Sequence, residues 1–143
     1  MPEAPPRHVF VYGTLRRGGP NHALLAGARF VGAARTAARH ALFVDGIPYL
    51  AALPEVHHVR GEVYAVDDDT LATLDRLERH PTWYERRPVY VVLEEAAKAA
   101  RRAAGPAFGD APPTLACETY FNDRPQGALS RNGDYGPTLR RRR

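Results

Sequence analysis

One cysteine, one serine, one lysine and one tryptophan occur among 143 residues, and most of these shortages exclude something. A single Cys117 has no partner for an internal disulfide, so packing must hold the fold, and a reducing, cytoplasmic setting is expected. The lone Ser130 has no G-x-S-x-G around it, which argues against a serine hydrolase. No apolar run approaches the roughly 20 residues that a membrane-spanning helix needs. The opening "MPEAPPRHVF" sets prolines and an acid where a secretion signal needs a long apolar stretch. No Gly-Lys-Ser/Thr follows Gly13 or Gly18, and no G-x-G-x-x-G is present, so neither nucleotide-binding loop is indicated.

What is present is a globular composition. Hydrophobic residues make up 44% and charged ones 25%, enough for a core without staples and of a length that fits one domain. The net charge is +4. With Lys98 the only lysine, 19 of the 20 basic residues are arginine, and four of them close the chain as Arg140 to Arg143. Such a run suits nucleic acid, but no zinc spacing, aromatic sheet motif or recognition helix accompanies it. A solvated tail is the expectation, with nucleic-acid binding disfavoured.

Residues 1–7 are expected to be a disordered tail, 8–135 a single domain, and 136–143 a basic tail. Val9 to Val11 is apolar at consecutive positions, the pattern of a strand buried on both faces. A short helix is expected from His22 to Ala26, capped by Asn21 and stopped at Gly27. Phe30 to Leu53 reads as two or three strands with a turn at Asp45-Gly46. "HHVRGEVYAV" is a strand ending at Val66. "DDDTLATLDRLERHP" is the strongest helix, capped by Asp67 or Asp68 and ended by Pro81. "RRPVYVVLEE" and "PTLACETYF" are strands. Residues 96–113, rich in alanine, arginine, glycine and proline, read as an insertion whose first half is helical. From Asn122 onward the chain reads as loop. Short connections between strands point to an α+β fold, a small, mixed, largely antiparallel β-barrel with flanking helices.

Two features carry chemistry. The first is "VFVYGTLRRGGPNHALL", where an apolar strand breaks at Tyr12-Gly13 into a glycine-bearing loop with two arginines. Such a loop presents bare N–H groups, and bare N–H groups bind anions. The second is Glu78. With Leu71 at zero on a helical wheel, Leu74 falls near about 300° and Leu77 near about 240°. Glu78 falls near about 340°, on the apolar arc, and Asp75 near about 40°, at its edge. Either Glu78 escapes to solvent or pairs with Arg79, Arg86 or Arg87, or it is a base whose pKa partial burial raises. Adjacent His57 and His58 on a strand face opposite ways, which is poor metal geometry. Cys117, mid-strand, reads as a core residue.

"VFVYGTLRRGGPNH", "GEVYAVD", "LDRLE" followed by "WYERR", and "GDYGP" occur in that order. Together they resemble the γ-glutamylcyclotransferase-like superfamily, and within it the γ-glutamylamine cyclotransferases and AIG2-like proteins. The resemblance is close from Val9 to Leu93 and looser beyond. It implies a small mixed β-barrel and an activity that releases 5-oxoproline and a free amine from a small-molecule γ-glutamyl compound, without metal or cofactor. It implies that Tyr12, Gly13, Thr14 and Leu15 hold the glutamyl moiety and that Glu78 is the catalytic base. Two departures bear on the leaving-group pocket. Many members have glycine after the catalytic glutamate, where this chain has Arg79, and the 96–113 segment is longer than usual. Other readings are a cyclotransferase for another γ-glutamyl conjugate, or a non-catalytic binding module of the same fold. A monomer with no membrane partner is expected. Deleting Arg140–Arg143 is expected to leave 5-oxoproline release nearly unchanged, measured by mass spectrometry; a tenfold fall would place the tail over the site.

Overall fold

The computed structural model describes residues 7–104 and 113–137. Eight strands and two helices follow in chain order: β1 (Arg7–Val11), β2 (Arg29–Thr36), β3 (Ala41–Asp45), β4 (Ile47–Ala51), β5 (Arg60–Val66), α1 (Asp68–Leu77), β6 (Glu85–Leu93), α2 (Glu94–Ala104), β7 (Leu115–Phe121) and β8 (Ala128–Leu129). Strands β1-β5-β2-β6-β7 close into a barrel, and β4-β3-β8 form a separate sheet. Only the closing contact, β1 with β7 at Val9 and Glu118, is parallel within the barrel; its other pairings are antiparallel. The expected mixed, largely antiparallel barrel is therefore the architecture.

The consecutive apolar run in β1 has a direct cause. Phe10 joins Ala34, Val63, Val91 and Cys117 in one core cluster drawn from all five barrel strands. Its neighbours Val9 and Val11 point the other way, into a second cluster with Val66 of β5 and Leu71 and Leu74 of α1. Strand side chains alternate between faces, so a strand covered on both sides must be apolar at every position.

Helix α1 starts as its sequence dictates. The Asp67 carboxylate accepts the Thr70 N–H at 2.7 Å, and Asp68 and Asp69 sit where the helix dipole favours acids. Leu71 and Leu74 are buried. Leu77 does not follow them: it is 38% exposed, because the helix ends there and the wall beneath it opens into a cavity.

Several sequence expectations need correction. Arg7 belongs to β1, paired with Val66, rather than to a tail; residues 1–6 and 138–143 lie outside the described residues. The strand "HHVRGEVYAV" begins only at Arg60, because His57 forms an isolated bridge with His40. Asn21 does not cap the 3-10 turn at His22–Leu25; its side-chain amide is bonded to Thr14 instead. The segment after Asn122 is more than loop: β8 pairs with β3, and Tyr135 is fully buried with its hydroxyl donating to the Gly46 carbonyl at 2.8 Å. Sequence periodicity misses such a segment because its partners are distant in the chain. The helical half of the 96–113 segment is the end of α2, which runs to Ala104, and 105–112 lie outside the described residues. The Asp45-Gly46 turn is present, with Gly46 at φ 72° between β3 and β4.

Close packing of β5 on β1 relies on Gly61. A β-carbon there would lie 2.8 Å from Phe10 ring carbons and closer still to the Val11 carbonyl. Gly61→Ala is expected to lower stability by about 2 kcal/mol through overpacking, read as a lower midpoint in chemical denaturation with an unchanged slope.

Candidate active site

The loop after β1 is built by its own backbone. Arg16 N–H donates to the Gly13 carbonyl at 3.0 Å, Gly19 N–H to Arg16 at 2.8 Å, and Asn21 N–H to Thr14 at 3.0 Å. Asn21 Nδ2 donates to Thr14 Oγ1 at 2.9 Å. Leu15 plugs the loop into the second core cluster.

Its two arginines are anchors. Arg16 is paired with Asp134 at 2.7 Å and lies 4.0 Å from Glu62, tying the loop to the segment before Tyr135. The Arg17 guanidinium stacks 3.7 Å over the Phe30 ring, while the Arg17 backbone N–H donates to the Glu62 carboxylate. Neither is left for a ligand. The N–H groups of Gly13, Thr14 and Leu15 are: among the described residues they have no acceptor within the protein. Buried or semi-buried N–H groups are rarely left without a partner, so three consecutive ones mark an anion- or carbonyl-binding cradle.

Gly13 has a further reason to lack a side chain. A β-carbon there would collide with Cγ of Pro48 on β4. The loop thus packs on the β3–β4 hairpin through Gly13 as well as baring its N–H groups.

One cavity of about 400 Å³ is lined by Tyr12, Gly13, Thr14, Leu15 and Glu78 together. Pro48, Trp83, Tyr84 and Tyr120 complete much of its wall, and sequence reasoning missed all four. Their signal was faint. Trp83 and Tyr84 follow a helix end, and Tyr120 is one of three consecutive buried residues at the end of β7.

Glu78 ends α1. Its N–H donates to the Leu74 carbonyl at 2.9 Å, and its carbonyl accepts from Tyr84 N–H at 3.1 Å. The half-buried carboxylate has no ion-pair partner among the described residues. Of the three arginines that follow it, Arg79 forms no ion pair with it and the other two are engaged elsewhere. Arg86 binds Asp75 at 2.8 Å and lies 3.4 Å from Glu118; Arg87 binds Glu85 and Asp123. Asp75, at the edge of the apolar arc, also accepts from the Tyr120 hydroxyl at 2.6 Å. Desolvation pushes the Glu78 carboxyl up to about 7.

The tyrosines around it are held protonated. Burial raises Tyr12 well above its ordinary value, and the nearby Tyr84 and Glu78 charges add to this. Tyr84 and Tyr120 are raised chiefly by burial too. Their hydroxyls are committed: Tyr12 donates to the Tyr120 carbonyl at 2.6 Å and Tyr84 to the Pro48 carbonyl at 2.7 Å. The rings therefore wall the cavity, leaving Glu78 as its unpaired acid.

The histidine pair stands apart from this site. Leu42 N–H donates to His57 Nδ1, which leaves Nε2 as donor to the Ser130 carbonyl at 2.8 Å. His58 Nδ1 is bonded to the Thr36 carbonyl. Among the described residues no group of three His, Cys, Asp or Glu side chains is placed to hold a metal ion. No described helix is long and apolar enough to cross a membrane. Cys117 lies in the barrel core, where burial pushes its thiol up to about 12.

The family profile described as gamma-glutamyl cyclotransferase, AIG2-like, matches residues 9–136. The chain belongs to that family. The match takes in the loop, the helix end and the Asp134–Tyr135 segment that braces the loop. A Homo sapiens protein named gamma-glutamylaminecyclotransferase is 40% identical over 121 residues, 78% of this chain and 76% of its own length. A Methanocaldococcus jannaschii protein, provisionally named a gamma-glutamylcyclotransferase, is 35% identical over 129 residues, 90% of this chain and 94% of its own. The crystal structure of an AIG2-like protein from Mus musculus superposes with a TM-score of 0.68 at 30% identity, covering 86% of this chain and 81% of that one.

The raised pKa has a stability consequence. Between about 4.5, the ordinary value, and about 7, the folded state holds a proton on Glu78 that the unfolded state has released. Stability must fall as pH rises through that window and level off above it. In Glu78→Gln this contribution vanishes. The variant is expected to gain stability relative to the parent from about pH 4.5 to 7, by about 1–2 kcal/mol after discounting for the half-open wall. Paired denaturation curves across pH test this, and a pH-independent difference would show that Glu78 is not held in a desolvated site.

Proposed function

We propose that the chain is a γ-glutamylamine cyclotransferase, converting a γ-glutamyl amine to 5-oxoproline and the free amine. The coarser reading, a γ-glutamyl cyclotransferase, rests on family membership and on the names of the relatives. The finer one rests on the 40% identity to the human protein. The observation that carries the chemistry is a single cavity containing three unpartnered backbone N–H groups and one unpaired carboxylate raised to about 7.

The reaction needs no enzyme nucleophile. The substrate's α-amine nitrogen attacks its own γ-carbonyl carbon. A C–N bond closes the five-membered ring, and the C–N bond to the departing amine breaks. In this reading the N–H groups of Gly13, Thr14 and Leu15 bind the glutamyl group, and donors directed at the carbonyl oxygen stabilise the charge that develops there. Folding the chain into attack geometry removes several kcal/mol of barrier.

Proton movement is assigned to Glu78. The α-ammonium group cannot attack until it is deprotonated. Glu78 accepts that proton and delivers it to the leaving nitrogen as the C–N bond breaks; the attacking nitrogen gives up a second proton as it becomes the lactam N–H, and this proton too passes to the amine, which departs as an ammonium, so the carboxylate is regenerated. An unperturbed glutamate, at about 4.3, is too weak a base for this. One raised to about 7 is matched to neutral pH. The committed hydroxyls of Tyr12 and Tyr84 keep competing acids away from the transfer.

Glu78→Gln preserves the shape of the side chain and removes its basicity. Release of 5-oxoproline from γ-glutamyl-ε-lysine is expected to fall about a hundredfold to ten-thousandfold. In the parent, kcat/KM is expected to rise with pH through about 7 as Glu78 loses its proton. A folded Glu78→Gln protein with normal turnover would remove Glu78 from the mechanism.

A further inference from the structure

Arg79 is the one described non-glycine residue with positive φ, at 55°. Side chains other than glycine are disfavoured there, and such outliers gather at functional sites. The conformation has a local use. It turns the chain out of α1 so that the Arg79 carbonyl accepts from Thr82 N–H at 2.8 Å and from Trp83 N–H at 3.0 Å. Glycine would make the same turn without a β-carbon, so the turn does not account for an arginine.

The surroundings supply a reason. Arg79 lines the cavity beside Glu78 and is exposed. Among the described residues it has no ion-pair partner, whereas Arg16, Arg86 and Arg87 are all paired. Three apolar side chains line the same cavity while remaining partly in water: Ile47 and Leu77, each 38% exposed, and Trp83, 40%. Large apolar groups left wet around a cavity mouth mark a surface that a ligand covers. The mouth thus combines an apolar wall with one uncompensated cation.

We infer that Arg79, Trp83, Leu77 and Ile47 form a leaving-group subsite that selects amines carrying an aliphatic stem ended by a carboxylate. The inference rests on the cyclotransferase reading of the same cavity. The glutamyl head lies inside, at the bare N–H groups and Glu78. The departing amine extends outward along the apolar wall, and its terminal carboxylate meets the Arg79 guanidinium. An ω-amino acid, or an amino acid linked through its side-chain amine, fits this order of contacts. A diamine would bring a second cation against Arg79 and be rejected.

The test compares three γ-glutamyl conjugates of matched stem length, those of 6-aminohexanoate, hexylamine and 1,5-diaminopentane, with γ-glutamyl-ε-lysine as reference. Release of 5-oxoproline is followed. The carboxylate-ended conjugate is expected to exceed the diamine in kcat/KM by about tenfold, the scale of one charge-assisted contact at a half-open site. The ratio should shrink in about 0.5 M salt, where exposed charges are screened. Arg79→Gly should bring the ratio near one, and Arg79→Lys should restore most of it, which a purely structural role would not do. Equal kcat/KM for all three in the parent, or a ratio that survives Arg79→Gly, overturns the subsite. Turnover of γ-glutamyl-ε-lysine but of none of the three overturns it also, while leaving the cyclotransferase reading intact. No 5-oxoproline from any of the four overturns both.

Discussion

A carboxylate without a counter-ion governs this structure. Glu78 is half-buried in a chain that carries 19 arginines, yet Arg86 and Arg87 are bonded to other acids and the adjacent Arg79 forms no ion pair with it. A desolvated acid responds to its surroundings by holding its proton, here up to about 7. Pairing Glu78 with Arg86 would lower that value and remove the basicity. The Asp75–Arg86–Glu118 arrangement therefore has a second effect beyond tying α1 to β6 and β7: it keeps a strong cation occupied on acids other than Glu78.

The rest of the site follows from the same separation of roles. Charged groups around the loop are spent on position. Arg16 ties it to Asp134 and Arg17 covers Phe30, so the groups left facing the cavity are backbone N–H donors, which are fixed and carry no side-chain entropy. Pro48 presses on Gly13 from the β3–β4 hairpin, and Tyr84 is bonded back to the Pro48 carbonyl. Loop, hairpin and helix end thus hold one another, so that the bare N–H groups and the Glu78 carboxylate are positioned by the fold itself.

Much of the fold was legible because local rules and global packing agree. Asp67 caps α1 as its sequence says, and β1 is apolar at successive positions because the barrel core covers one face and α1 the other. Legibility failed where the deciding partner is distant. Asn21 has the composition of a helix cap but bonds to Thr14. Tyr135 lies in a stretch of loop residues yet is buried against the Gly46 turn. Leu77 keeps the helical period but meets a cavity, because the period describes the helix and not what lies beneath it.

Sequence alone determined the elements, the barrel class, the cavity loop and the presence of a carboxylate on an apolar arc. These depend on periodicity, capping and turn chemistry, which act over a few residues. Tertiary structure decided whether that carboxylate is paired. A helical wheel leaves Arg79, Arg86 and Arg87 as equal partners for Glu78, since all are near in sequence. Only the barrel brings Glu118 and Asp123 from β7 and its following turn to take up Arg86 and Arg87, and only the turn after α1 sets Arg79 at the cavity mouth rather than on Glu78. The charge state of an acid depends on distances to every nearby ion, and those distances come from chain segments as far apart as Arg87 and Asp123, 36 residues.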